Sequence, residues 1–420
     1  MNSNTFADKL SLDEFYYDLP NNSIAQYPNK ERSNSKLLVF NRDTNNITHT
    51  VFNNIYNYLP DNSLLVRNST KVIPARFFMK KPTGGIIELL CISPISPSHD
   101  PQITIGAINK CSWECIVGGH HVKEGLILSL QDNSNDFLNK TDFKAKILSR
   151  KENKAIVEFV WQGDSPFQKI LENAGKIPLP PYIKREAENI DKTRYQTIYA
   201  NIAGSVAAPT AGLHFSEEVL NNLSKKNIKI SNVILHVGPG TFVPITTSIQ
   251  EHNMHFEQIY IDKFTLNTLL EEYKKPNPFV IATGTTSLRT LETLYWLGIK
   301  SLNNEFELVD NNVILEQNYP YSANVDNVSP YEALSSLLQQ LEKRNIDNLE
   351  CHTQLFITPG YKIKTIKALI TNFHLPKSTL LLLVSAFIGI NNWKHIYKEA
   401  LDNDYKFLSY GDSSLLINTL

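Results

Sequence analysis

Phe279-Val280-Ile281-Ala282-Thr283 runs directly into Gly284-Thr285-Thr286-Ser287-Leu288-Arg289. The first five residues have the apolar, β-branched character of a buried strand. The next segment has the glycine and hydroxyls of a turn, and a helical pattern follows from about Ser287 to Leu297. The same strand-then-turn grammar recurs outward. Ile228 to His236 reads as a strand and leads into Val237-Gly238-Pro239-Gly240-Thr241-Phe242. Ile366 to Thr371 reads as another and leads into Asn372-Phe373-His374-Leu375-Pro376-Lys377-Ser378. Ser216 suits the cap of a helix whose first turn carries Glu217 and Glu218. A helix is expected from about Thr265 to Tyr273, and an apolar one near Ser378. This alternation predicts an α/β domain with a mixed, largely parallel sheet.

The N-terminal texture differs. Ile86–Ile92, Ser112–Val117 and Leu126–Leu130 read as strands, and apolar residues alternate in Phe143-x-Ala145-x-Ile147 and Ala155-x-Val157-x-Phe159-x-Trp161. Period-two runs between Gly, Pro, Asn and Asp clusters predict an antiparallel barrel or sandwich. The chain divides accordingly into an α/β domain, 1–66 and 163–420, and an inserted domain, 67–162. Residues 300–350 hold an Asn-rich loop and one amphipathic helix, Pro330 to Arg344, and read as a peripheral insertion.

Ligands of parallel sheets bind beyond the carboxyl ends of the strands, where the three turn segments converge. The backbone N–H groups and hydroxyls of Gly284 to Ser287 suit a carboxylate or phosphate, and Arg289 in the first turn suits the same anion. A plain strand–helix turn with hydroxyl caps explains the spacing equally well. Ala207-Ala208-Pro209-Thr210-Ala211-Gly212-Leu213-His214-Phe215 is a run of small residues that admits a flat ligand, with His214 as an acid or base. The alternative is a packing loop with a hydrogen-bonded histidine. His252, His255 and Glu257 have no helix to place them on one face, and Cys111 and Cys115 lack partner ligands, so no metal is expected. There is no dinucleotide or P-loop glycine motif.

The 420 residues are 42% hydrophobic and 20% charged, ordinary globular proportions that leave room for a sizeable core. The four cysteines are unpatterned, the N-terminus is polar, and the apolar run Leu380 to Ile390 is too short to span a bilayer, so a cytoplasmic protein without a membrane partner is expected. The net charge of −1 argues against broad nucleic-acid binding and confines any RNA contact to a local patch. The best stretch holds Lys176, Lys184, Arg185, Lys192 and Arg194, although three acids among them also fit a solvated loop.

The sequence resembles the S-adenosylmethionine:tRNA ribosyltransferase-isomerase family of queuosine biosynthesis over nearly its whole length. The likeness rests on Phe15-Tyr16-Tyr17-Asp18-Leu19-Pro20, Lys71-Val72-Ile73-Pro74-Ala75-Arg76, Ile177-Pro178-Leu179-Pro180-Pro181-Tyr182, Arg194-Tyr195-Gln196-Thr197, Gly204 to Phe215, His236 to Phe242, Gly284 to Arg289, Pro359-Gly360-Tyr361, Thr371 to Ser378 and Ser409-Tyr410-Gly411-Asp412. It implies a fold like a partial barrel with a β-barrel domain inserted near its N-terminal end. It also implies a reaction that consumes S-adenosylmethionine as co-substrate, with no separate cofactor. A base removes a proton from the ribose carbon beside the sulfonium, adenine is expelled, the aminomethyl group of a 7-deazaguanine on tRNA attacks the ribosyl unit, and methionine leaves. On this likeness and the pattern above, His214, His374 and His236 are the candidate acid–base groups. Ala208, Pro209, Thr210, Gly212, Gly238, Gly240, Gly284, Thr285, Thr286, Ser287, Arg289 and Asn372 are the candidate substrate contacts. Lys176, Lys184, Arg185, Arg194 and Lys377 are the candidate tRNA contacts, and a monomer is expected. Asn68-Ser69-Thr70 and Thr353-Gln354 depart from the family pattern, each lacking an acid.

Overall fold

The computed structural model describes residues 10–131, 136–238, 244–308, 312–323, 325 and 327–419. The strands, in chain order, are β1 (Lys36–Asn41), β2 (Asn46–Val51), β3 (Leu64–Asn68), β4 (Thr70–Val72), β5 (Arg76–Lys80), β6 (Ile86–Ser96), β7 (Lys110–Gly118), β8 (Ile127–Leu130), β9 (Lys144–Lys151), β10 (Lys154–Val160), β11 (Ile202–Ser205), β12 (Lys229–His236), β13 (Glu257–Asp262), β14 (Val280–Thr283), β15 (Asn312–Leu315), β16 (Asn348–Thr353), β17 (Ala368–Asn372) and β18 (Ser413–Ile417). Ten of them form one sheet in the order β15-β16-β13-β12-β3-β14-β17-β18-β1-β2. Its centre, β12-β3-β14-β17, is entirely parallel. The flanks are mixed: β13, β16, β18 and β2 each enter through an antiparallel pairing.

The centre is parallel because its strands are apolar on both faces. Leu64, Leu65 and Val66 are fully buried, as are Ile281 and Ala282, and Ala368 to Ile370. Such strands need covering on both sides, and connections through helices leave them parallel. The long helix Gly284–Leu302 covers one face and starts three residues earlier than its sequence pattern suggests. Thr379–Ile388 is the expected apolar helix, capped by Ser378, whose Oγ accepts from Leu381 N.

Six strands close a separate antiparallel barrel in the order β10-β7-β6-β5-β8-β9. Inward-facing Phe77, Trp113, Val157 and Phe159 alternate with exposed residues, as period two requires. The four cysteines are all buried and reduced; Cys91, Cys111 and Cys115 pack in this barrel. The barrel strands begin at Arg76, later than the boundary at 67 read from sequence. Leu64–Asn68 belongs to the middle of the large sheet, and Thr70–Val72 pairs with Ile202–Ser205. At the other end the helix Phe167–Ala174 packs its Phe167, Ile170 and Leu171 into the barrel core, beyond the boundary at 162.

The segment 300–350 is built into the fold more firmly than a peripheral insertion. It supplies edge strand β15 and the helix Pro330–Lys343, which starts with a capping box between Ser329 and Glu332. Ala333, Leu334, Leu337 and Leu341 of that helix are buried in the main core. The contact is closest at Gly298, where a Cβ would collide with the carbonyl of Ala333. Gly298→Ala should therefore destabilise the chain by about 1–3 kcal/mol, the usual cost of overpacking, despite alanine's helix preference of about 1 kcal/mol. Urea unfolding monitored by circular dichroism measures it; an unchanged or higher midpoint would show that the two helices can separate freely.

Candidate active site

Because β12, β3, β14 and β17 are adjacent and parallel, their carboxyl ends bring His236, Asn68, Thr283 and Asn372 to one edge of the sheet. Asn68 acts as a clamp there: its Nδ2 donates to Leu235 O at 2.9 Å, and its Oδ1 accepts from Leu235 N at 3.3 Å and Thr70 N at 3.2 Å. This fourth strand end escaped the sequence reading, although the apolar run Leu64-Leu65-Val66 was the signal for it.

Among the described residues, buried polar atoms without hydrogen-bond partners gather at the same edge. They include Thr70 Oγ1, Thr283 Oγ1, Thr286 Oγ1, Asn372 Oδ1, His214 Nε2 and both ring nitrogens of His236. Buried polar groups are nearly always paired in a folded protein, so a cluster of vacant ones at strand ends marks where a polar ligand completes the set.

His214 lies on the short helical turn Thr210–His214, packed against Phe52 with ring centroids 5.2 Å apart. Its Nδ1 is 2.7 Å from Ser35 Oγ, and Ser35 Oγ is 3.4 Å from the Arg32 carbonyl. Ser35 can thus donate to the carbonyl and accept from Nδ1–H, or donate to Nδ1 while Nε2–H faces the Asn372 amide. Burial pushes the imidazole down to about 4; the Asn372 amide opposes this and the Arg32 charge reinforces it. His374 follows β17. Its Nε2 is 2.8 Å from Thr371 Oγ1, its backbone N–H donates to Tyr397, its carbonyl accepts from Tyr17, and burial pushes it down to about 3. His236 stands edge-on to Tyr260 with centroids 5.8 Å apart, and burial pushes it down to about 4. All three rings are therefore neutral at pH 7. Neither Ser35 nor Arg32 was a candidate from sequence, because both lie about 180 residues from His214.

The turn Thr210–His214 packs against β17 and the helix Gly284–Leu302. Ala211 approaches Gly284, which adopts φ +85° and would bring a Cβ to 3.7 Å from Ala211. Thr285, Thr286 and Ser287 follow in the first turn of Gly284–Leu302, whose leading N–H groups have no partners within the helix. Ser287 Oγ is committed to Thr283 O at 2.7 Å. Asn372 Nδ2 likewise donates to Leu408 O. Three of the candidate contacts are engaged within the protein. Gly212 is small because Tyr199 and Thr197 occupy the space, with Thr197 Cγ2 2.7 Å from where its Cβ would be, so it packs against protein. Ala208 is likewise buried in a cluster with Tyr195 and Tyr410. Arg289 is not a lone cation either: it is ion-paired with Glu257, and its burial lowers its pKa to about 10. An anion at this helix start meets a guanidinium already held in place by a carboxylate. Pro209 is buried beside Thr210, Gly238 follows β12 with open space where a Cβ would stand, and Gly240 lies outside the described residues.

Of the basic candidates, Lys176 and Lys184 are exposed. Arg185 is held within the protein. Its Nη1 and Nη2 bind Asp191 at 2.7 and 2.8 Å, its Nε donates to Gln26 O, and its guanidinium lies over Tyr27. Arg194 donates to the carbonyls of Lys30 and Asn29, and lines a small cleft with Arg32, Ser35 and His214. Lys377 bonds Asp13 at 2.6 Å. Among the described residues no group of three or more His, Cys, Asp and Glu could hold a metal ion, and no helix is long and apolar enough to cross a membrane.

The architecture is that of an α/β protein with polar side chains and neutral imidazoles at the ends of its parallel strands. The chain belongs to the queuosine biosynthesis protein family, whose model matches residues 12–416. Curated relatives named S-adenosylmethionine:tRNA ribosyltransferase-isomerase include those of Legionella pneumophila (strain Lens), 38% identical over 97% of this chain and 100% of the relative, and Aquifex aeolicus, 36% identical over the same shares. A solved structure described as S-adenosylmethionine tRNA ribosyltransferase from Thermotoga maritima is 28% identical, covering 96% of this chain and 100% of its own, with a TM-score of 0.45.

The buried imidazoles make stability depend on pH with a definite sign. An unfolded histidine takes its proton near 6.5, whereas folded His214 and His236 wait until about 4. The stability tied to this difference is full above pH 6.5 and is lost as the pH falls from there towards 4. His236→Gln should lose less stability than the unsubstituted chain over that window, measured as urea midpoints at pH 7, 5.5 and 4.5. Parallel declines would mean that His236 is protonated in the folded state.

Proposed function

We propose that this chain transfers and isomerises the ribosyl moiety of S-adenosylmethionine onto 7-aminomethyl-7-deazaguanine at the wobble position of tRNA. The product is epoxyqueuosine-tRNA, with adenine and methionine released. S-adenosylmethionine is consumed as co-substrate without a further cofactor, and the enzyme acts in the cytoplasm as a monomer. Family membership supports the reaction class, and the cluster of vacant polar atoms at the four strand ends is the observation that carries the site.

In this reading the methionine carboxylate of the donor sits at the start of Gly284–Leu302. There the unpaired N–H groups, Thr286 Oγ1 and the Arg289 guanidinium converge on it. The sulfonium makes the neighbouring ribose carbon acidic, and His214 takes that proton at Nε2. Burial fits His214 for this role by keeping it unprotonated, and Ser35, 2.7 Å from Nδ1, by holding the ring in place. Proton removal opens the way for adenine to leave. The aminomethyl nitrogen of the tRNA base then forms the new bond to the ribosyl carbon, and methionine departs with the C–S electron pair. His374 and His236 flank the site as neutral hydrogen-bonding groups.

Incubation with S-adenosylmethionine and tRNA carrying the precursor base should release adenine and methionine in equal amounts. Release of S-adenosylhomocysteine would instead establish a methyltransferase. His214→Gln should cut turnover about 10²–10⁴-fold, the range for a positioned acid–base group, while donor and tRNA affinities stay normal. Turnover within a few-fold of the unsubstituted chain would remove His214 from the role; if His374→Gln then lost activity, the base would be His374.

A further inference from the structure

A sizeable cleft lies at the opposite end of the sheet from the candidate site. Lys367 precedes β17, Arg42 follows β1 and Asn418 follows β18, and all three line a cleft of about 570 Å³. Lys362 and Lys364 complete its basic wall, and no Asp or Glu lines it. In a chain of net charge −1 this local excess of four cations stands out. Among the described residues none of the four forms an ion pair with a carboxylate. Arg42 Nη1 donates to Phe387 O and Lys367 Nζ to Thr419 O, while Lys362 and Lys364 are exposed.

The loop that carries the lysines is anchored from beneath. Glu292, fully buried on the helix Gly284–Leu302, accepts from Tyr361 Oη at 2.6 Å, Lys364 N at 3.0 Å, Thr365 N at 2.9 Å and Thr365 Oγ1 at 2.6 Å. Its oxygens are thus occupied by the loop itself. The Pro359-Gly360-Tyr361 motif, which has no part in the proposed chemistry, turns the chain here with Gly360 at φ +98° and sends Lys362 and Lys364 outward. A folded protein that keeps like charges together without carboxylates gains from an anion that neutralises them.

We infer that this cleft is an RNA-backbone contact, a second anchoring point for the tRNA away from the reacting nucleotide. The inference rests on the RNA substrate proposed above. A polyanion fits better than one small phosphate, because the charges are spread along an extended segment on exposed, flexible lysine stems. Such point charges track a backbone, whereas a single phosphate is held by a fixed, desolvated donor set. The contact is sequence-independent and acts on tRNA affinity without touching the chemistry.

The test is the binding of a full-length tRNA to the intact chain by fluorescence anisotropy between about 50 and 300 mM salt (roughly half a decade in affinity per contact). The K362Q/K364Q chain should bind more weakly. Its slope of log affinity against log salt should fall by about 0.7–0.9 per lost contact. Its KM for tRNA should rise while kcat at saturating tRNA and the affinity for S-adenosylmethionine stay unchanged, and K362R/K364R should restore the slope. An unchanged slope and KM would overturn the inference and leave the proposed reaction standing. So would inorganic phosphate that binds the unsubstituted chain, but not K362Q/K364Q, with tRNA binding unaffected: the cleft would then hold a small anion. A chain that binds no tRNA would overturn both readings.

Discussion

The enclosure of Leu64-Leu65-Val66 between β12 and β14 is the contact on which the rest of the structure depends. Both faces of this strand are buried and both edges are hydrogen-bonded to parallel neighbours. It lies more than 160 residues from one partner and more than 210 from the other, with the whole barrel domain between them. Pairing such distant segments has a loop-closure cost that rises only slowly with length, so a long insertion is tolerated once the apolar core is assembled. The direction of these strands decides what is near what. With the centre parallel, every carboxyl end falls on one edge, and the barrel, the lysine-bearing loop and the flanking strands are arranged around that choice.

Desolvation then gives the edge its chemical character. An imidazole out of water favours its neutral form, which is the state a base needs. The same burial weakens the preference of Arg289 for its charge, and Glu257 offsets this by supplying a counter-charge. Pairing of a buried cation is a precondition for keeping it where an anion is to bind, because an isolated buried charge is costly. At the opposite edge the solution is different: the lysines remain in water and the buried carboxylate, Glu292, is satisfied by backbone and hydroxyl donors. One edge is thus dry and fixed, the other wet and cationic.

Much of this was legible in the sequence. Apolar runs followed by glycine- and hydroxyl-rich turns located β12, β14 and β17, and period-two alternation located the barrel. The small run ending in His214 pointed to the turn packed against β17. What was not legible depends on contacts between distant residues. Nothing near Gly212 announces Tyr199, nothing near His214 announces Ser35, and nothing near Arg289 announces Glu257. Arg185 shows the limit most clearly: as a string it belongs to a basic loop, yet its guanidinium is spent on Asp191 six residues away. Charge read from sequence locates cations, whereas their availability is a property of the fold.

The central claim is that the carboxyl ends of β12, β3, β14 and β17 form the donor site. A crystal structure of the chain with S-adenosylmethionine bound tests it most directly. The account predicts the donor at those ends, its carboxylate against the Gly284–Ser287 turn and its ribose beside His214. A donor bound elsewhere, in the barrel or in the cleft lined by Arg42 and Lys364, would contradict it.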